Sequence, residues 1–350
     1  MKKLLPKFRK KSVDTSSRIT NETVAEHRER ILAGGRRFKY PVQYARHRLV
    51  FNAIIISIVA AIVIAVVGWW QLYPAQNTST FVYRVTTVLP LPVANVDGQS
   101  VPYSDYLMQY RSATYYLVQK EQISLKSEDG KRQVQYIKQQ AMQSAVADAY
   151  AAKLAHKLNL SISDSELESS LKLQRQSSDG EVSQQTQDAA VLSLYGWSPD
   201  EYRHVLKNAL LRQKVAYAID DSALKVAESI GSQLKVENSS LQTVVDVTNA
   251  AGGSKVTYGA SGWVKRFNQD EGLARAASTL ERGKTSGVIK STNGDSYYFV
   301  RLLDSNDTQV SYEYIQIPLT AFTKELDNLE KTNKIVRYIS IPKITTTQSR

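Results

Sequence analysis

The sequence predicts an α+β chain: one membrane-spanning helix, a mostly helical region beyond it, and a smaller mixed region built on an antiparallel sheet. Three observations carry this. Leu49 to Trp70, LVFNAIIISIVAAIVIAVVGWW, is an uncharged apolar run. Residues 94–220 show helical periodicity with repeated capping signals, and residues 221–318 place alternating stretches such as SYYFVRLL between Gly-marked turns.

The apolar run dominates the chain. As a helix it extends roughly 33 Å, enough for a hydrocarbon core of about 30 Å. Trp69, Trp70 and Tyr73 close its far end, where amphipathic rings favour the headgroup zone. A leader of 48 residues is too long for an ordinary signal peptide, so residues 49–73 are expected to be a retained span. Residues 1–48 hold 14 Lys/Arg against 4 Asp/Glu, a net of +10. The whole chain carries +12, so only +2 is left for everything after residue 48. The basic excess therefore belongs to the tail, which is expected to be cytoplasmic, with the remainder extracytoplasmic. Membrane orientation and attraction to anionic lipid suffice to explain this basic excess, and nucleic acid is the less favoured partner.

Composition excludes several chemistries. The sequence has no cysteine, hence no disulfide, thiol nucleophile or thiolate metal site. Its four histidines, His27, His47, His156 and His204, lack metal-ligand spacing, so no metal or other cofactor is expected. Ser232-x-x-Lys235 matches the start of an acyl-serine motif, but no companion motif accompanies it. Paired carboxylates such as Glu325 and Asp327 read as a solvated helix face.

In the tail, residues 1–19 are basic and Ser-rich and read as disordered. Thr23 to Leu32 reads as a short helix, with Thr23 and Glu26 as a capping box and Gly34-Gly35 as its stop. The following RRFKYPVQYARHR mixes basic and aromatic side chains suited to an inner leaflet. Residues 74–93 read as a linker broken by Pro90 and Pro92. Ala94–Val96 reads as a strand and Asp97-Gly98 as a tight turn. A helix capped by Ser104 runs to about Lys120, and a longer one covers Arg132–Leu158 with a small-residue stripe. Ser163 and Glu166 form a capping box for the next helix, residues 174–188 read as loop or frayed helix, and Ser198-Pro199 opens a helix to about Ile219.

Beyond this, helices are expected from Asp221/Ser222 to Leu234 and over Leu241–Ala250, with a turn at residues 251–253. Asn293-Gly294 signals a hairpin before the strand at 296–303. Ala321–Ile339 reads as a closing helix, and residues 319–350 as a C-terminal helix and tail.

Three segments in series carry a resemblance. VANVDGQ, KLAHKLNLSISDSELESSL and YGWSPDEYRHVLKNALLRQKV match in order the "VNGE" start, the "KLGISVSDEEV" junction and the Ser-capped Arg/Leu-rich helix of the SurA/PrsA group of extracytoplasmic foldases. Residues 94–220 thus resemble a SurA-like N-terminal chaperone domain. Residues 221–318 resemble a parvulin (PpiC-like) prolyl isomerase domain through Gly262-Trp263, Ala276-Ala277, Leu280, Gly283, Ser286 and TNGDSYYFVRLLD. The resemblance also shows departures. Tyr298 stands at a catalytic His position, Gln269 and Leu273 at the Met and Phe pocket positions, and Asn249-Ala250 where the family has an acid or Cys. The family's opening strand is missing before Ala223. VSYEYIQIP, residues 310–318, is expected to fill that slot beside 296–303, with Tyr314 at the second His position.

The resemblance implies a membrane-anchored chaperone that binds unfolded or newly secreted polypeptides, with its parvulin-like domain inactive and Gly262-Trp263 serving its turn and core. The expected aromatic lining of a client cradle is Tyr103, Tyr106, Tyr110, Tyr115, Tyr116, Tyr195 and Trp197, several of them also candidates for plain core. Two alternatives stay open: a working isomerase with a Tyr-based site, and a scaffold subunit of an envelope machine.

Overall fold

The computed structural model describes residues 20–39, 41–177, 180–235, 240–252 and 255–342, and the chain divides into two units, Met1–Gln71 and Leu72–Arg350. The basic segment 1–19, the basic-aromatic side chains up to residue 46 and the tail from residue 343 lie outside the described residues.

The first unit holds α1 (Asn21–Lys39) and most of α2 (Pro41–Leu72). The expected capping box does not form. Thr23 lies inside α1, and its hydroxyl donates to the Thr20 carbonyl at 2.7 Å. Nor does Gly34-Gly35 stop the helix, because glycine permits a stop without imposing one. Pro41 breaks it instead: it cannot donate to an ongoing helix but suits the first turn of the next. Within α2, His47–Leu72 is long and apolar enough to cross a membrane, the only such helix among the described residues.

The second unit is α+β. It opens with α3 (Thr80–Val88), a helix within the segment expected to be a linker; the Ser79 hydroxyl caps it through the Val82 N–H. The hairpin β1 (Pro92–Val96) and β2 (Gln99–Pro102) follows, turning at Asp97-Gly98, both with positive φ. Then come α4 (Tyr103–Gln119), which starts after Pro102 rather than at a Ser104 cap, and α5 (Glu128–Lys157), begun early by Ser127 accepting from the Gly130 N–H. The capping box of α6 (Asp164–Gln174) forms as expected. The stretch 174–188 contains the small hairpin β3 (Gln176–Ser177) and β4 (Gly180–Glu181) and the start of α7 (Gln184–Tyr195). A second capping box opens α8 (Pro199–Ile219). The main core of this region joins Val93, Val96, Tyr103, Leu107, Met142 and Val146.

The mixed region runs α9 (Asp221–Gln233), α10 (Leu241–Ala250), β5 (Thr257–Lys265), α11 (Leu273–Ala277), β6 (Ile289–Lys290), β7 (Ser296–Ser305) and β8 (Gln309–Pro318). Its sheet is antiparallel, in the order β5-β8-β7-β6. Val310–Ile317 therefore does pair with the strand at 296–303, with Val300 opposite Tyr314. Alternation along β7 and β8 sends residues to two faces. Tyr297, Phe299, Ile315 and Ile317 pack under α9 and α10, while Tyr298, Val300, Leu302 and Tyr312 pack against α11.

The C-terminal segment returns to the helical region. Helix α12 (Ala321–Lys331) ends well before Ile339, because Asn333 adopts a left-handed conformation and the β-branched Ile335-Val336 follows. Those residues form β9 (Ile335–Arg337), which adds to the free edge of β1. Asp220 ties the junction together. Its buried carboxylate accepts from the Ala223 N–H at the start of α9 and from the Thr320 and Ala321 N–H groups at the start of α12. Burial pushes its carboxyl up, but these backbone donors and the Ser222 hydroxyl more than offset that, and it titrates below the ordinary range.

Candidate polypeptide-binding surface

The structure separates the seven expected liners into two sets. Tyr103, Tyr106 and Tyr110 fall on the inner stripe of α4 and are core side chains, a correction to their reading as a cradle lining. Their rings pack in series at 5.8 and 6.2 Å, and the Tyr103 hydroxyl donates to the Leu72 carbonyl at 2.7 Å. Burial pushes all three phenols up.

The other four lie at the outer end of α4 and the α7–α8 corner. Helix α7 ends at Gly196, whose φ of +68° is the left-handed cap that glycine adopts freely. A Cβ there would stand 3.1 Å from the Tyr115 ring, so glycine also lets the corner descend onto that ring. Tyr195 stacks on Trp197 at 4.9 Å, and Trp197 on Tyr202 at 6.4 Å. Tyr116 and Val118 are exposed nearby in sequence on α4, as are Leu192 and Leu194 on α7. Lys120 donates to the Ser193 hydroxyl at 3.0 Å and latches α7 to the end of α4. The surface thus joins Tyr115, Tyr195 and Trp197 and adds Tyr202, Leu192 and Leu194, which sequence reasoning missed. The readable signal was the apolar run AAVLSLYGW at the end of a helix whose surroundings are polar.

Hydrogen bonds hold this corner. Glu201 accepts from the Ser198 N–H at 2.7 Å through one oxygen and from the Tyr83 hydroxyl at 2.5 Å through the other. The Arg111 guanidinium lies over the Tyr83 ring at 5.3 Å. Burial, then the Glu201 hydrogen bond, pushes the Tyr83 phenol up. The Trp197 indole N–H is buried with no acceptor among the described residues.

A polar cluster links α4, α5 and α8 further along. His204 Nε2 lies 3.0 Å from Asp105 Oδ1, and Arg212 pairs with Asp148. The hydrogen bond to Asp105 raises the His204 imidazole above its ordinary value, against the effect of burial. Burial pushes the Asp148 carboxyl up to about 6, although the Arg212 guanidinium pulls it down. A cavity of about 790 Å³ lies between α5, α8, α12 and β9, with Met142, Leu326 and Ile335 in its wall and Arg212, Glu330 and Arg337 among its polar lining.

The expected isomerase positions also divide. Tyr298 and Tyr314 meet edge to face at 5.9 Å, and the buried Leu273 belongs to the same cluster. Gly259 opposes Tyr314, and a Cβ there would stand 2.5 Å from the ring. Gln269, however, is exposed in the loop before α11 and does not line that cluster. Its neighbours supply the polarity instead. The Tyr312 hydroxyl donates to Asp270 at 2.6 Å, and the Glu271 carboxylate acts on the Tyr298 phenol. Burial, then these acids, pushes both phenols up. One oxygen of Glu271 is buried without a partner among the described residues. Asn249 makes two 2.9 Å bonds with the Val256 backbone, a structural clasp. Trp263 is not core: it is 50% exposed, turned outward where β5 bulges at Gly262. The Ser232 hydroxyl donates to the Glu228 carbonyl of its own helix.

The second unit thus combines a helical region with a small antiparallel sheet and carries an aromatic surface assembled from α4, α7 and α8. In a comparison with protein families, residues 44–216 match the model of the SurA-like N-terminal domain, and the chain carries that domain of the SurA/PrsA-type foldases. No curated protein and no solved structure matches the chain.

Proposed function

We propose that this protein is a membrane-anchored extracytoplasmic chaperone that holds unfolded or newly secreted polypeptides, and that its parvulin-like domain does not catalyse. The SurA-like domain carries the reading, because its matched residues include the whole aromatic corner of α4, α7 and α8. Stacked Tyr and Trp rings with leucines beside them offer apolar area with polar tips and few rotors, which suits contact without sequence readout. The apolar helix supports anchoring, and the tail's charge supports a cytoplasmic N-terminus and contact with anionic lipid.

The pairing of β8 beside β7 supports the parvulin-like reading of the mixed region. A prolyl ring gains little by entering a cluster lined with Glu271, Asp270 and two tyrosine hydroxyls, which supports the absence of turnover. A photo-crosslinking residue placed at Tyr195 in cells tests the proposal. Capture of many nascent or unfolded chains is the expected result. Capture of one stoichiometric partner would replace it with the scaffold reading.

A further inference from the structure

Helix α3 has more apolar surface than the core uses. Val82, Tyr83 and Thr86 are buried in the second unit, and Arg111 clamps the helix by donating to the Thr78 carbonyl at 3.1 Å and the Thr80 hydroxyl at 3.0 Å. A second stripe, Phe81, Val85 and Val88, follows at i, i+4 and i+7, the spacing of one helical face, with Leu89 at the C-cap just beyond it. Phe81 is 77% exposed and Val88 79%, with Leu89 also exposed and Val85 half-buried. Arg84 is exposed beside this stripe.

We propose that this stripe is a membrane-surface contact, with α3 lying in the headgroup zone of an anionic bilayer. The proposal rests on reading His47–Leu72 as a span. Two observations select lipid over other occupants. Thr80 follows Leu72 by eight residues, a tether of at most roughly 28 Å when fully extended, so the bilayer surface is within reach of α3. Second, Arg84 complements anionic headgroups beside exposed Phe, Val and Leu side chains, the composition of an interfacial helix face. The consequence is a second membrane contact: one face of α3 is fixed to the folded unit and the other to lipid.

The natural chain has no cysteine, so single-site labelling needs no background removal. Phe81→Cys and Val88→Cys, each in the full chain in anionic phospholipid nanodiscs, would carry a nitroxide whose collisions with oxygen and with a water-soluble nickel complex are measured. Ile58→Cys in the span and Lys207→Cys on the exposed side of α8 are references. The expected result is oxygen access with nickel shielding at 81 and 88, intermediate in depth between 58 and 207. Nickel access at 81 and 88 equal to that at 207, with 58 shielded, overturns the proposal and leaves the span intact. Nickel access at 58 overturns the span reading and this proposal with it. Spin–spin broadening at 81 or 88 assigns the stripe to a second copy and also overturns it.

Discussion

Replacing the exposed apolar groups of the aromatic corner should abolish client binding and leave the fold standing. The variant is Tyr116→Ser, Leu192→Ser and Tyr195→Ser combined. Full burial of a large apolar side chain contributes about 1.5–3 kcal/mol. Leu192 is 55% exposed and Tyr195 41%, so each retains roughly half of that, about 1 kcal/mol, for a bound chain. Tyr116 is exposed to a similar degree. Together the three supply about 3 kcal/mol, on the order of 100-fold in affinity. Ordering of the bound segment lowers the net gain, so a loss of about 10- to 100-fold is expected. The assay is fluorescence anisotropy of a labelled, reduced and alkylated polypeptide titrated with the full chain in nanodiscs. Exposed substitutions of this kind typically change stability by about 0.5 kcal/mol or less each, so the unfolding midpoint should move little. Unchanged affinity with an unchanged midpoint would refute the assignment of this surface. A collapsed midpoint would show that the corner is structural and not a binding surface.

Asp220→Ala removes the shared cap of α9 and α12 and strands three backbone donors, and should cost about 3 kcal/mol in urea unfolding, with Asp220→Asn losing less because one acceptor remains. An effect below 0.5 kcal/mol, at the scale of ordinary surface changes, would contradict the double cap. The Asp148 carboxyl titrates near 6 in the fold, against about 3.9 when unfolded, so between those values the folded chain holds a proton the unfolded chain has lost. Stability from this group therefore falls as pH rises from about 4 through 6, by at most about 3 kcal/mol, and Asp148→Asn should flatten that slope in thermal scans across the window. The raised His204 has the same sign at higher pH, its contribution present below the ordinary His value and lost as pH rises through its folded value. Tyr298→His alone should give no prolyl isomerase activity in a protease-coupled peptide assay, since Glu271 and Asp270 still line the cluster; robust turnover would show that the acids do not silence it.

The helix starts were readable where a side chain acts locally. Ser163 with Glu166 forms the box its spacing implies and Ser198 caps α8 ahead of Pro199, because each bond closes within one turn. The pairing of 310–317 with the 296–303 strand was readable as well, since VSYEYIQIP alternates and a short SNDTQ connection joins the two. What escaped was set by distant partners. Ile335-Val336 reads as the end of a helix until the open edge of β1 claims it. Tyr103, Tyr106 and Tyr110 carry the same letter as Tyr116, and only their place on α4 decides that they are core. Trp263 belongs by composition in a core, yet a bulge turns it outward. Gln269 was the polar residue visible by position, but its neighbours Asp270 and Glu271 reach the buried tyrosines.

The most direct test of the chaperone reading is light scattering from a chemically unfolded test protein diluted into buffer with increasing amounts of the full chain in nanodiscs. The account predicts suppression of scattering that saturates near equimolar chain and test protein, without any nucleotide. Scattering identical to that with empty nanodiscs, at every ratio, would contradict it.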